Sequence, residues 1–179
     1  MSSRLTTIVA TNVSVAWGML DGHKTTVADV VRAYVQSLLK TKDPTFVEFP
    51  RRLCPKRGRG MRRPCSRLSK SLYGHPEAGG HWERHLEVIV VRMGGQKVPT
   101  HPSCFFFPLL KLLLTIYVDD LLLSGPEENH YPFWRTLEKS VKIEPEEDLH
   151  RYLGRHRIFE AKDRLPYNLM AAFKSKTDA

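Results

Sequence analysis

Apolar residues fall in two rhythms along this chain. From Leu112 to Gly125 the sequence reads Leu-Leu-Leu-Thr-Ile-Tyr-Val-Asp-Asp-Leu-Leu-Leu-Ser-Gly, two short apolar runs around adjacent carboxylates. Each run is too short to span a membrane, and the pattern predicts a β-hairpin with Asp119-Asp120 at its tight turn. Ser103–Phe107 predicts a preceding strand that turns at Pro108–Lys111. Residues from Thr25 to Asp29 read as a strand after a turn at Asp21–Lys24, and then Val30, Ala33, Tyr34 and Leu38 take helical spacing. Trp82, Leu86, Ile89, Val90 and Met93 recur on one helical face, closed by Gly94-Gly95. Phe133, Trp134, Leu137 and Val141 give the buried stripe of a helix over 127–141, with Pro126 near its first turn. Residues 1–20 predict a short helix packing on the adjoining domain. Leu149–Ile158 reads as a strand with Arg151, Arg155 and Arg157 on one face, and the polar last twenty residues read as loosely ordered.

Composition narrows the class. The 179 residues suffice for one domain with a core, and 41% apolar with 26% charged residues is a globular balance. The formal net charge of +9 favours a polyanionic partner. Much of it sits in residues 51–70, which hold nine basic side chains and no acid, with Pro55, Gly58, Gly60 and Pro64 interrupting any helix. Arg57, Arg59, Arg62, Arg63, Arg67 and Lys70 are therefore candidate phosphate contacts, with Arg151 and Arg155 further along. A solvated loop or a nuclear-import signal would read the same way. Three cysteines are an odd, sparse set that argues for a reducing compartment. No signal-peptide pattern follows Met1 and no transmembrane run is present, so the expectation is a soluble intracellular protein, cytoplasmic or nuclear, neither secreted nor membrane-bound. His75, His81 and His85 with Cys54 and Cys65 lack a short Cys-X-X-Cys knuckle. They read as solvated or facing nucleic acid rather than as zinc ligands. Glu144–Asp148 reads as a solvated acidic turn.

Carboxylates in an apolar setting are costly unless a cation offsets their desolvation. At a turn Asp119 and Asp120 can converge on one side, an arrangement that suits a hard divalent cation. The plain alternative is a hairpin with a solvated acidic turn. Asp29, at a strand-to-helix junction, has the plain alternative of a helix N-cap.

Four blocks carry a family likeness. Tyr117-Val118-Asp119-Asp120 is similar to the Tyr-X-Asp-Asp box of reverse transcriptases, and its Leu-rich flanks resemble the Ty1/copia-type version. Asp29, Val30, Ala33, Tyr34 and Pro50 resemble that family's first catalytic motif. Lys70, Leu72, Tyr73, Gly74, Ala78 and Trp82 match its Lys-Ala-Leu-Tyr-Gly block, whose glutamine and proline are Glu77 and Gly79 here. Leu149–Ile158 resembles the Leu-Gly strand that comes after the palm.

The resemblance covers roughly residues 24–160, with 1–23 as an N-terminal remnant and 161–179 as a polar tail. It implies an α/β (α+β) polymerase palm with part of the fingers: an antiparallel sheet carrying the Tyr-Val-Asp-Asp hairpin, with helices on one face. It further implies RNA-directed DNA polymerase activity on an RNA or DNA template-primer and dNTP. The implied cofactor is two Mg²⁺ ions, or Mn²⁺, held by Asp29, Asp119 and Asp120. Tyr34 takes the place of the gate against ribose, and Glu77 and Tyr117 fall among the nucleotide contacts. The alternative is a catalytically decayed remnant that still binds nucleic acid. Glu77 favours it, because an ionised carboxylate only accepts hydrogen bonds and repels a triphosphate. The oligomeric state is left open.

Overall fold

The structure, a computed structural model, describes residues 8–152 and 155–156; of Arg151, Arg155 and His156 it describes the backbone. In chain order the elements are α1 (Ile8–Gly18), β1 (His23–Asp29), α2 (Ala33–Gln36), β2 (Phe46–Glu48), β3 (Cys65–Arg67), α3 (Ala78–Arg92), β4 (Gln96–Val98), β5 (His101–Phe107), β6 (Leu112–Tyr117), β7 (Asp120–Pro126), α4 (His130–Glu138), β8 (Glu147–Asp148), β9 (Arg151–Tyr152) and β10 (Arg155–His156). Six strands form one antiparallel sheet in the order β4-β5-β6-β7-β1-β8. The fold is mixed α and β, as expected.

Strand alternation sorts the sheet's side chains to two faces. Ala28, Leu114, Leu121 and Leu123 point to one face, where they pack with Trp82, Leu86 and Val90 of α3 and with Phe133, Trp134 and Leu137 of α4. Leu122 and Val27 point to the other, against Val15 and Met19 at the end of α1 and against Leu149 and Tyr152. Helices therefore cover both faces, and the expectation of helices on one face is corrected. The helix expected within residues 1–20 is present as α1, but apolar residues lie all round it and no stripe marks its inner side. Ile8, Val9 and Val13 are exposed while Ala10, Thr11, Ser14 and Val15 are buried. Gly18 lets α1 close on β1, since a Cβ there would overlap Thr25 Oγ1 and approach the Lys24 carbonyl at 2.9 Å.

Several local expectations change. The helix after Asp29 shrinks to α2, because Arg32 in a left-handed conformation (φ 52°) delays its start and Ser37 turns extended (ψ 147°) at its end. The basic run is not one loop: it makes two 3₁₀ turns, Arg51–Leu53 and Lys56–Gly58, and then β3, which pairs with β2. The acidic turn at 144–148 is tied down, with Glu146 accepting from Arg135 at 2.6 Å and Glu147–Asp148 extending the sheet beside β1. The strand expected over 149–158 is instead two short antiparallel strands, with Arg155 opposite Tyr152, so Arg151 and Arg155 do not share one strand. The side chains of Arg151 and Arg155 and the polar tail lie outside the described residues.

Candidate functional site

The sheet's central strands gather the predicted carboxylates. β1 and β7 run antiparallel in a register that makes Asp29 and Asp120 cross-strand partners, although 91 positions separate them (120 − 29). Asp120 also faces Tyr117 across the β6–β7 hairpin. Tyr117, Asp120 and Asp29 thus form a row across three strands on the face that α1 covers. The turn lies one residue earlier than expected. Val118 and Asp119 occupy it, and Asp120 is already the first residue of β7.

Two like charges so close cannot both ionise freely. Burial, a hydrogen bond to Asp29 and the charges of Asp29 and Asp119 push the Asp120 carboxyl up to about 6. Among the described residues no three His, Cys, Asp or Glu side chains are gathered as a ready metal cage. The structure therefore joins Asp29 to Asp120 and leaves Asp119 beside them in the turn, where its charge reaches both Asp120 and Tyr34. A cross-strand pair of carboxylates is a donor set that suits a hard divalent cation, whose charge would offset theirs.

Tyr34, in α2, sits across the turn. Burial, and then the charges of Asp119 and Tyr73, raise its phenol. Its ring lies 4.5 Å from that of Tyr73, centroid to centroid. Tyr34 also lines an apolar pocket beside the turn, with Trp82, Leu86, Phe105, Ile116 and Val118. Glu77 precedes α3 with an exposed side chain. Its backbone amide donates to His75 Nδ1.

The base of the basic excursion is fastened to α2. The Leu38–Lys70 bridge, the Ser37–Ser71 hydrogen bond at 3.1 Å and the Leu39 amide bond to Ser69 bring Lys70 next to the segment that carries Asp29 and Tyr34. Arg57, Arg59, Arg62, Arg63, Arg67 and Lys70 are all exposed. Arg63 is held by Glu48 at 2.8 Å, a surface ion pair that aids the β2–β3 hairpin little.

Three residues escaped sequence reading. His81, expected in solvent, is buried on α3 beside Arg84, and burial lowers its pKa. Tyr152 is buried within the field of Asp120, and desolvation, followed by that charge, raises its phenol. Its hydroxyl has no hydrogen-bond partner among the described residues. Trp82, readable as a core residue and as part of the family block, donates its indole N–H to the Val118 carbonyl at 2.6 Å. Only the indole itself, a buried donor that needs an acceptor, hinted at this.

No helix among the described residues is long and apolar enough to cross a membrane. No protein-family model matches the chain, and no curated protein matches it.

Proposed function

We propose that this chain is a polymerase palm of reverse-transcriptase type, acting in template-directed nucleotidyl transfer on an RNA or DNA template-primer. The observation that carries this reading is the Asp29–Asp120 cross-strand pair, with Asp119 in the adjoining turn and Tyr34 beside it. Two segments far apart in sequence would have little reason to deliver carboxylates to one point of an apolar sheet unless their charge were used.

Asp29 and Asp120 would hold a divalent cation, with Asp119 adding charge at the rim. Bound Mg²⁺ supplies activation of the primer 3′-hydroxyl and charge neutralisation at the triphosphate. The protein's own part is to orient and to select. Tyr34, backed by Tyr73, presents a ring where a nucleotide sugar would lie against it. The exposed arginines of the excursion, which is fastened to the Tyr34 segment through Lys70, would follow a phosphate backbone.

Primer extension by the purified chain with Mg²⁺ tests the proposal. Asp29→Asn and Asp119→Asn should each lower the rate by on the order of a hundredfold or more, because charge stabilisation at the reacting phosphate is lost. Extension that survives both substitutions would overturn the reading. A second reading, a remnant that binds nucleic acid without polymerising, is favoured by the missing three-carboxylate cage among the described residues. It predicts salt-dependent template binding with no extension by the wild-type chain.

A further inference from the structure

We propose that Trp82 is a positioning residue that fixes the Asp119 turn from the face of the sheet opposite the Asp29–Asp120 pair. The role rests on the polymerase function, and the NMR signals of the turn separate its failure from the failure of that function.

The turn has a specific weakness. Val118 holds a left-handed conformation with φ 56°. That region is unfavourable for a β-branched residue, whose side chain crowds the backbone there. Such a conformation persists only where the surroundings over-determine it. The hairpin ladder does not do so by itself, because its last pair is Tyr117 with Asp120 and neither turn residue belongs to it.

Two hydrogen bonds from outside the hairpin supply the constraint. The Trp82 indole N–H donates to the Val118 carbonyl at 2.6 Å. The Val30 amide donates to the Asp119 carbonyl at 2.8 Å. These carbonyls belong to the two peptide units that bracket the Asp119 Cα. With both planes held, rotation about that Cα is restricted and the Asp119 side chain leaves the backbone in one direction. The second bond comes from the residue directly after Asp29. The first comes from α3, a separate element, through a side chain that is 2% exposed and packed among Leu86, Phe105 and Leu114.

The bond also resolves a need on each side. An indole N–H can only donate, and burial without an acceptor is costly. The Val118 carbonyl lies at the turn, beyond the last pair of the hairpin ladder. Trp82 therefore does more than fill the core: a leucine or phenylalanine of suitable shape would leave the turn carbonyl without its donor.

Trp82→Phe, which keeps an aromatic ring and removes the donor, is the direct test. The amide NMR signals of Val118 and Asp119 report the turn without reference to activity. The expected result is broadened or doubled signals at these two residues in a folded protein. Primer extension should lose on the order of tenfold in kcat while the KM for nucleotide changes little, since one hydrogen bond in the turn is at stake. Val118→Gly relieves the left-handed constraint, so adding it to Trp82→Phe should recover sharp signals and most of the rate. If Trp82→Phe does not fold, a benzothienyl isostere of the indole at residue 82 removes the N–H at nearly constant shape and carries the same expectations. Unchanged turn signals and unchanged kcat in the donor-less protein would overturn the proposal. Disturbed turn signals in a chain whose wild type extends no primer would leave the positioning role standing and sink the polymerase reading.

Discussion

The two faces of the central sheet are built from the same strands and end up chemically unlike. On the face of α3 and α4 the strands present Ala28, Leu114, Leu121 and Leu123 to a continuous apolar layer. Three of its buried side chains are linked in one chain: Trp134 N–H donates to Thr26 Oγ1, Thr26 O–H donates to His130 Nδ1, and His130 Nε2–H donates to the Gly125 carbonyl. On the face of α1 the apolar cluster is smaller, and hydroxyls interrupt it, with Ser14 against Thr115 and Thr25 against Ser124. That face also carries Asp29, Asp120 and the Tyr152 hydroxyl, which has no partner among the described residues. The first side leaves His81 Nε2 and Arg135 Nε, on its two helices, without a hydrogen-bond partner among the described residues, whereas the second sets its unpartnered Tyr152 hydroxyl near a cross-strand pair of carboxylates, the kind of place where a ligand would act.

The comparison breaks most sharply at Trp134. Trp134→Ala removes a fully buried ring and the head of the hydrogen-bond chain, and should cost about 3–5 kcal/mol of unfolding free energy in urea melts. Next in size is an acid effect on the same face. Burial lowers the pKa of His130 to about 4, against the ordinary 6.5. The unfolded chain therefore takes up this proton first, and stability present above pH 6.5 is lost as pH falls toward 4, on the order of 2 kcal/mol after allowance for screening. His130→Gln, which keeps a donor and an acceptor, should flatten that loss in melts taken across the same window.

The carboxylate face should respond with the opposite sign. Asp120 is raised to about 6 from 3.8, so the folded chain binds its proton more tightly than the unfolded chain does. Its contribution is full below pH 3.8 and is lost as pH rises through 6, on the order of 1 kcal/mol at a half-buried site. Asp120→Asn should abolish this slope. Mg²⁺ at pH 7.5 should raise the melting temperature of the wild type but not of the Asn variant. The smallest effect on stability belongs to the excursion. Arg62→Ala with Arg63→Ala should change unfolding by less than about 0.5 kcal/mol, since both are exposed. Yet it should make the salt dependence of template binding shallower by about one to two units of slope, equally for all sequences. An unchanged slope would mark the run as a solvated loop.

Legibility in the sequence followed the source of each element's stability. The β6–β7 hairpin, α3 and α4 are held by burial, and burial leaves a period: Trp82, Leu86 and Val90, or Phe133, Trp134 and Leu137, can be read off directly. The Asp29–Asp120 pairing was reachable only through family likeness, because register between distant strands leaves no local trace. Elements fixed by backbone geometry or by edges were missed. The short α2 follows from Arg32 in a left-handed conformation and Ser37 in an extended one, and β2–β3 closes through an exposed hairpin inside a basic run. The two-sided cover arose from α1, whose apolar residues ring the helix and do not declare a face. His81 looked solvated because its neighbours Glu83 and Arg84 are charged, while its own position on α3 turns inward.

The edges of the large sheet have a consequence for the chain's behaviour at high concentration. Two of its interior strands, β6 and β7, are leucine-rich and would make strong self-templating segments if exposed in an extended conformation. The strands that terminate the sheet are different. β4 is three residues long with Lys97 at its centre, and β8 is two residues long and wholly acidic. An incoming strand meets few open backbone groups and a fixed charge at either end, so growth of the sheet beyond one molecule is blocked at both margins. The acidic pair at 147–148 thereby guards β1, the strand that carries Asp29, from pairing with a second copy of the chain.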